Sequence, residues 1–266
     1  MSVAKYSAKD VSTLRQMTGA GILDCRNALE EADGDLERAA QILREKGLAG
    51  AAKRSDREAV EGAVAAVRSG DAAAVVELRC ETDFVAKSAE FVALADELAA
   101  LVAAKGEEAV SELDDEIDRL RATLKENISV GQVRRLVAES GQVVDTYLHQ
   151  QAGRGVNAVA VVIEGGSDEL AHDIAVHIAF TKPLFLNRDE VAADEVATER
   201  ATLETISRNE GKPEAALEKI VDGRMNGWFK ERVLLDQSYV RDEKQTIAGM
   251  LGSARIVAFA QVVVGA

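Results

Sequence analysis

The sequence predicts an α+β protein with a helical N-terminal module, a duplicated core and a late helical insertion. Three observations carry that reading. Apolar spacing is helical over residues 7–47, then shifts near Val60 to the short continuous runs of buried strands. A hairpin followed by a helix occurs twice, near 60–104 and 143–182, as two similar halves rather than a solenoid, which needs three or more units. Residues 191–232 return to helical spacing without a strand signal, and the 266-residue chain has only two prolines to interrupt its helices.

The N-terminal module is read as three short helices. The first, about Asp10 to Met17, carries Val11, Leu14 and Met17 on one face. "TGAG", Thr18 to Gly21, is a glycine-rich turn. The second helix spans about Ile22 to Ala32 and stops at Asp33-Gly34. Asp35 is a plausible N-cap for the third, which places Leu36, Ala39, Ala40 and Leu43 at helical spacing. Gly47 reads as its C-terminal stop, and Gly47 to Glu58 as a linker.

In the first half, two apolar runs flank Ser69-Gly-Asp71, a hairpin signal. "CETDFVAKSAEF", Cys80 to Phe91, forms the corner that follows. A helix then carries Phe91, Leu94, Leu98 and Leu101 on one stripe. Another begins near Ser111, where Ser111 to Asp114 has the spacing of a capping box, and lines up Leu113, Ile117, Leu120 and Leu124. In the second half, "VVDTYLHQ" and "AVAVVIEGG" read as paired strands joined through Gly153 to Asn157. Glu169 to Lys182 is helical, with Leu170, Ile174 and Ile178 spaced by four, and Pro183 ends it. Val196, Leu203 and Ile206 then form one stripe, and Leu217, Val221, Met225 and Trp228 another. This is a projecting antiparallel helical hairpin broken at "NEGKP". A short helix near Asp242 to Leu251 and a closing strand, Arg255 to Val264, follow. The expected units are 1–50, 58–142, 143–190 with 233–266, and the inserted 191–232.

Composition narrows the function. The chain is 47% hydrophobic but only 4% aromatic, so each of its six Phe stands out. A formal net charge of -14 argues against direct nucleic-acid binding, which rests on cationic neutralisation of phosphates. Lys53-Arg54 and Arg134-Arg135 are too short to form a basic patch. The distant Cys25 and Cys80 suggest two buried thiols in a reducing compartment. The N-terminal dozen residues lack an apolar signal core, and the run Ile256 to Val264 is far below the ~20 residues of a membrane span. A cytoplasmic protein without a membrane partner is expected.

No GxxxxGK[ST] is present, so the chain has no phosphate loop of its own. His172 and His177 are five apart, whereas two zinc ligands on one helix face need four; one is expected to pack and the other to face solvent. His149 lies alone in a strand. No catalytic constellation and no metal or cofactor set can be assembled. Phe84 is the anomaly: a large apolar ring at an acidic strand-to-helix corner. Read from the residues alone, it is a core residue that staples the following helix.

"LRQMTGAGILDCRNALEEADGDLERA", Leu14 to Ala39, and "CETDFVAKSAEF" together resemble the translation elongation factor Ts family. "HIAFTKPLF", His177 to Phe185, and "GKPEAALEKIVDGRM", Gly211 to Met225, add support in the same order. The resemblance implies a ubiquitin-associated-like N-terminal module, the duplicated core and a protruding coiled coil. It implies a guanine-nucleotide exchange factor for elongation factor Tu, with no covalent chemistry of its own. Thr82, Asp83, Phe84 and Val85 would disturb the partner's Mg²⁺ and phosphate site, with the Phe84 ring exposed so that the partner can bury it. Arg15, Ile22, Leu23 and His149 would add contacts. The connection Gln150 to Asn157 is longer than in many relatives, and the residues after His149 depart from the pattern. Contact through the extra C-terminal helical module of some relatives is not expected.

Overall fold

The computed structural model describes residues 6–52, 54 and 56–266. Three helices open it: α1 (Ala8–Thr18), α2 (Ile22–Glu31) and α3 (Leu36–Ala52). Ser7 and Asp10 form a capping box at α1, and Asp35 accepts from Arg38 N at α3, as its residue type predicts. Val11, Leu14, Cys25, Ala28, Leu29 and Ala39 close a small core of their own. Met17 does not join that core and lies exposed.

Gly47 does not end α3. The helix runs on to Ala52, across the first part of the expected linker, and Lys53 lies outside the described residues. The reason is a close approach. A Cβ on Gly47 would sit 2.6 Å from Ala122 Cβ, so the missing side chain lets α3 pack on α6 (Asp114–Leu124). That contact offsets the ~1 kcal/mol that a helical glycine costs relative to alanine.

The core is two three-stranded antiparallel sheets packed face to face. The first has the order β1 (Glu61–Ser69), β2 (Ala72–Cys80), β3 (Ser129–Val137). The second has the order β4 (Gln142–Gln151), β5 (Arg154–Glu164), β8 (Arg255–Val263). Alternation along the central strands explains the layers. Ala74, Val76 and Leu78 face α5 (Ala89–Lys105), whereas Ala73 and Val75 face Ala158, Ala160 and Val162 of the other sheet. Val159, Val161 and Ile163 face α7 (Asp168–Thr181). Both faces of β2 and β5 are therefore buried, and both strands read as unbroken apolar runs. In each half a hairpin leads to a helix, an insertion follows, and a third strand completes the sheet.

Several local expectations are corrected. β3 was not expected at all. Ser111 lies inside a 3-10 helix, Glu107–Leu113, and donates to Glu108 O, so no capping box forms at α6. Val102 rather than Leu101 completes the buried stripe of α5. β4 and β5 extend into the expected connection, so that Arg154 to Asn157 belong to β5 and the hairpin turns at Ala152-Gly153, with a register shift between His149 and Gln150. Asp242 to Thr246 is a strand, β7, paired with β6 (Ser238–Tyr239); the helix α10 (Ile247–Leu251) starts only after its Thr246 cap.

Helices α8 (Ala193–Asn209) and α9 (Glu214–Arg232) pack antiparallel, with Pro213 immediately before the first turn of α9. Leu217, Val221, Met225 and Trp228 are buried as their spacing predicts, whereas Ile206 is exposed and Ser207 takes its place inward. The two feet of this hairpin are tied by main-chain bonds. Phe185 and Val233 form a parallel bridge, Leu184 N and Phe185 N donate to Arg232 O, and Leu234 N donates to Phe185 O. Beside the feet, His177 is fully buried; one ring nitrogen meets Gln237 Oε1 at 2.9 Å and the other accepts from Val240 N. Burial holds its pKa below the usual histidine value, so it is a neutral latch between α7 and the returning chain. His172 lies outside, against Asp145.

Candidate functional site

The corner after β2 is built from polar caps rather than from its own apolar ring. Cys80 is buried, and its thiol donates to Thr82 O at 3.2 Å. Burial pushes that thiol's pKa up to about 12, which keeps the donor proton in place. Thr82 caps the short helix α4 (Asp83–Ala86), accepting from Val85 N. Ala86 is fully buried and Val85 packs on the apolar layer between the first sheet and α5. Asp83 pairs with Lys87 one turn on; that hydrogen bond holds its carboxyl below the ordinary carboxylate range, and the Arg154 charge adds to the effect. Phe84 is left pointing outward, 83% exposed. Its ring is therefore no staple of the helix.

A reciprocal pair of carboxylates fixes this corner from below. Glu126 accepts from Glu81 N and Thr82 N, each at 3.1 Å, and from the Thr82 hydroxyl. Glu81 in turn accepts from Asn127 N at 2.7 Å and meets Arg57. The two acids at this corner are thus committed, Glu81 to Asn127 and Arg57, Asp83 to Lys87. Among the described residues no group of three His, Cys, Asp or Glu side chains is arranged for a metal ion.

The other expected residues lie on the N-terminal module and on the second half of the core. Ile22 and Leu23 are exposed on the first turn of α2, Leu23 at 66%; Arg15 and Met17 are exposed on α1. Asp24, next to Leu23, pairs at 2.7 Å with Lys125, the neighbour of Glu126. In the second half of the core, His149 is exposed and borders a groove of about 630 Å³ with Val60, Glu61, Arg154, Phe180 and Lys182. Arg154 crosses between halves to Glu61 at 2.7 Å and to Gly62 O. Gly155 allows this crossing, since a Cβ there would sit 2.1 Å from Val64 O.

The exposed apolar residues are large and come from elements far apart in sequence. The profile of the family described as "Elongation factor TS" matches residues 81–266. "Elongation factor Ts" of Clavibacter michiganensis subsp. michiganensis is 45% identical, over 99% of this chain and all of that protein. That of Renibacterium salmoninarum is 44% identical with the same coverage. That of Mycobacterium marinum is 43% identical over 96% of this chain and 95% of its own length. This chain belongs to the elongation factor Ts family.

Membership gives the chain a role in translation elongation. The elongation factor Ts profile begins at Glu81 and so takes in the Phe84 corner and His149, whereas Arg15, Ile22 and Leu23 are covered by the full-length elongation factor Ts relatives. Sequence reasoning missed Phe180, 73% exposed, and Leu184, 68% exposed. Helical phase held the signal for Phe180. It lies two residues past Ile178, about 200° around α7 from the buried stripe of Ile174 and Ile178.

Proposed function

We propose that this chain is the guanine-nucleotide exchange factor for elongation factor Tu, and that Phe84 is its wedge. The observation that carries the reading is a large ring held 83% exposed on a corner whose opening N–H groups, those of Glu81 and Thr82, are taken by Glu126. The corner of Thr82, Asp83, Phe84 and Val85 disturbs the partner's Mg²⁺ and phosphate site, with the exposed Phe84 as the part that enters and Val85 seated on the core beneath it. Displacing the loops that hold Mg²⁺ removes the largest positive charge opposing the phosphates. The factor binds the nucleotide-free partner more tightly than the GDP form, and by reciprocity it weakens GDP by the same factor.

Magnitudes argue for a wide contact. A thousandfold acceleration of GDP release needs ~4 kcal/mol. Burying one Phe supplies about 1.5–3 kcal/mol. Arg15, Ile22 and Leu23 on one side, and His149 with Phe180 on the other, supply the remainder. In this reading residues 1–50 form the ubiquitin-associated-like module, 58–142 and 143–190 with 233–266 are the core halves, and 191–232 is the inserted coiled coil. The chain makes and breaks no covalent bond, needs no cofactor, and works in the cytoplasm without touching membrane or nucleic acid.

The test is release of a fluorescent GDP analogue from elongation factor Tu, followed by stopped flow with the purified chain. The expected result is saturable acceleration by two to three orders of magnitude. A release rate unchanged at saturating factor overturns the reading.

A further inference from the structure

We propose that the turn Lys125–Glu126–Asn127 is a positioning element for exchange, and that Glu126 acts through it to aim Phe84. The proposal rests on the exchange reading above and names a residue that the corner motif does not contain.

Three consecutive side chains tie three separate pieces of the molecule. Lys125 reaches Asp24 beside the Leu23 patch. Glu126 takes both backbone N–H groups and the hydroxyl that open the Phe84 corner. Asn127 donates its side-chain amide to Arg57 O at 2.7 Å and its backbone N–H to Glu81. Lys125 ends α6 in the left-handed conformation, φ 59, which swings the next residues out of the helix towards β2. Ile128, fully buried, anchors the turn to the core immediately afterwards.

Helix α4 has four residues, too few to hold itself. Phe84 makes no packing contribution of its own, since it lies in solvent. Orientation therefore falls to Val85 and Ala86 below, to the local Cys80, Thr82 and Asp83–Lys87 contacts, and, from outside the corner, to the Glu126 bonds, which are charge-assisted and so roughly twice as strong as neutral ones. The Lys125–Asp24 pair is largely exposed and adds little energy; it sets register between the Leu23 patch and the wedge. Loss of Glu126 frees the ring's direction while leaving the flanking patches intact.

The experiment is a double-mutant cycle in the full chain with Glu126→Ala and Phe84→Ala, read as GDP-analogue release from elongation factor Tu. Glu126→Ala is expected to lower the maximal release rate by about tenfold, with the half-saturating concentration changed by less than about threefold, because the patches still dock. It is expected to add less than about twofold on top of Phe84→Ala, since a residue that acts only through the ring has nothing left to aim. Glu126→Gln, which keeps one acceptor, is expected to fall between, and it replaces Glu126→Ala if that variant does not fold. A second arm needs no exchange activity. Phe84→Trp with Trp228→Phe places the only indole on the wedge, and nanosecond anisotropy is expected to show a larger fast component when Glu126→Ala is added. Multiplying effects in the cycle, or an indole equally ordered with and without Glu126, overturns the proposal. If the unmodified chain fails to release GDP, the exchange reading falls, and the anisotropy arm still decides whether Glu126 aims the corner.

Discussion

Phe84 stands outside the folding energetics of the domain and inside the energetics of its proposed contact. With the ring in solvent, Phe84→Ala should leave folding stability within about 0.5 kcal/mol of the parent. A buried Phe would have cost about 3–5 kcal/mol. Exchange should slow by about tenfold or more, each decade corresponding to ~1.4 kcal/mol of lost transition-state contact. A thermal melt and a stopped-flow release assay on the same preparation check both halves. A large fall in melting temperature, with exchange reduced only in step with the unfolded fraction, would contradict the wedge. The anomaly at this residue was legible in the sequence, because a ring between Asp83 and Val85 at a corner demands a reason. Glu126 was not legible. It lies more than forty residues from Thr82, and nothing in a local stretch marks a carboxylate that serves a distant backbone. Buried Glu77 was hidden for the same reason: it accepts from Gln132 N and Gly265 N, far away along the chain.

Among elements, the ones with strong periodicity were read correctly and the mixed ones were not. The buried faces of α7 and α9 follow from spacing, and that of α5 does as far as Leu98, after which Val102 replaces the expected Leu101. β3 escaped because its sequence, SVGQVRRLV, is polar in four of nine positions and opens on small residues. It pairs with β2 on one side only and is half-buried along most of its length, so no clean alternation develops. Gly47 misled in the opposite sense, since a glycine chosen for helix contact looks the same in a sequence as a glycine chosen for a stop. The α8–α9 hairpin carries its own core of Leu217, Val221, Met225, Trp228 and Phe229. Shortening it symmetrically between Val196 and Met225, with a glycine-containing turn in place of NEGKP, should leave the two sheets folded. More than half of the exchange rate should survive, as judged by the release assay beside circular dichroism. Complete loss of exchange in a folded variant would put the working surface on the hairpin instead.

For the whole molecule, the recurrence of hairpin and helix pointed to two similar halves, and the packed sheets explain why both central strands lacked polar alternation. What the sequence could not convey was the docking of the N-terminal module. Its small core closes without help, yet α3 lies on α6 and Asp24 pairs with Lys125. Removing residues 1–52 should therefore leave a core that still unfolds cooperatively, at a melting temperature lower by a few degrees because one face of α6 is uncovered. Its half-saturating concentration in the exchange assay should rise about tenfold or more, as the Leu23 patch is gone. Loss of a cooperative transition would mean that the module and the core fold as one unit.

The tied feet of the hairpin have a further consequence for the order of assembly. β8 must find β5 across a long stretch of chain: Glu164 pairs with Arg255, 91 residues on. The bridge between Phe185 and Val233 removes about half of that stretch, because everything between the feet becomes a closed side branch. Halving a loop lowers its closure entropy cost by only ~0.6 kcal/mol, but it shortens the search in time as well. Helices α8 and α9 meet through contacts local in sequence, on the microsecond scale of such events, and can close the feet before β8 arrives. The insertion thus acts during folding as a splint for the sheet that it interrupts.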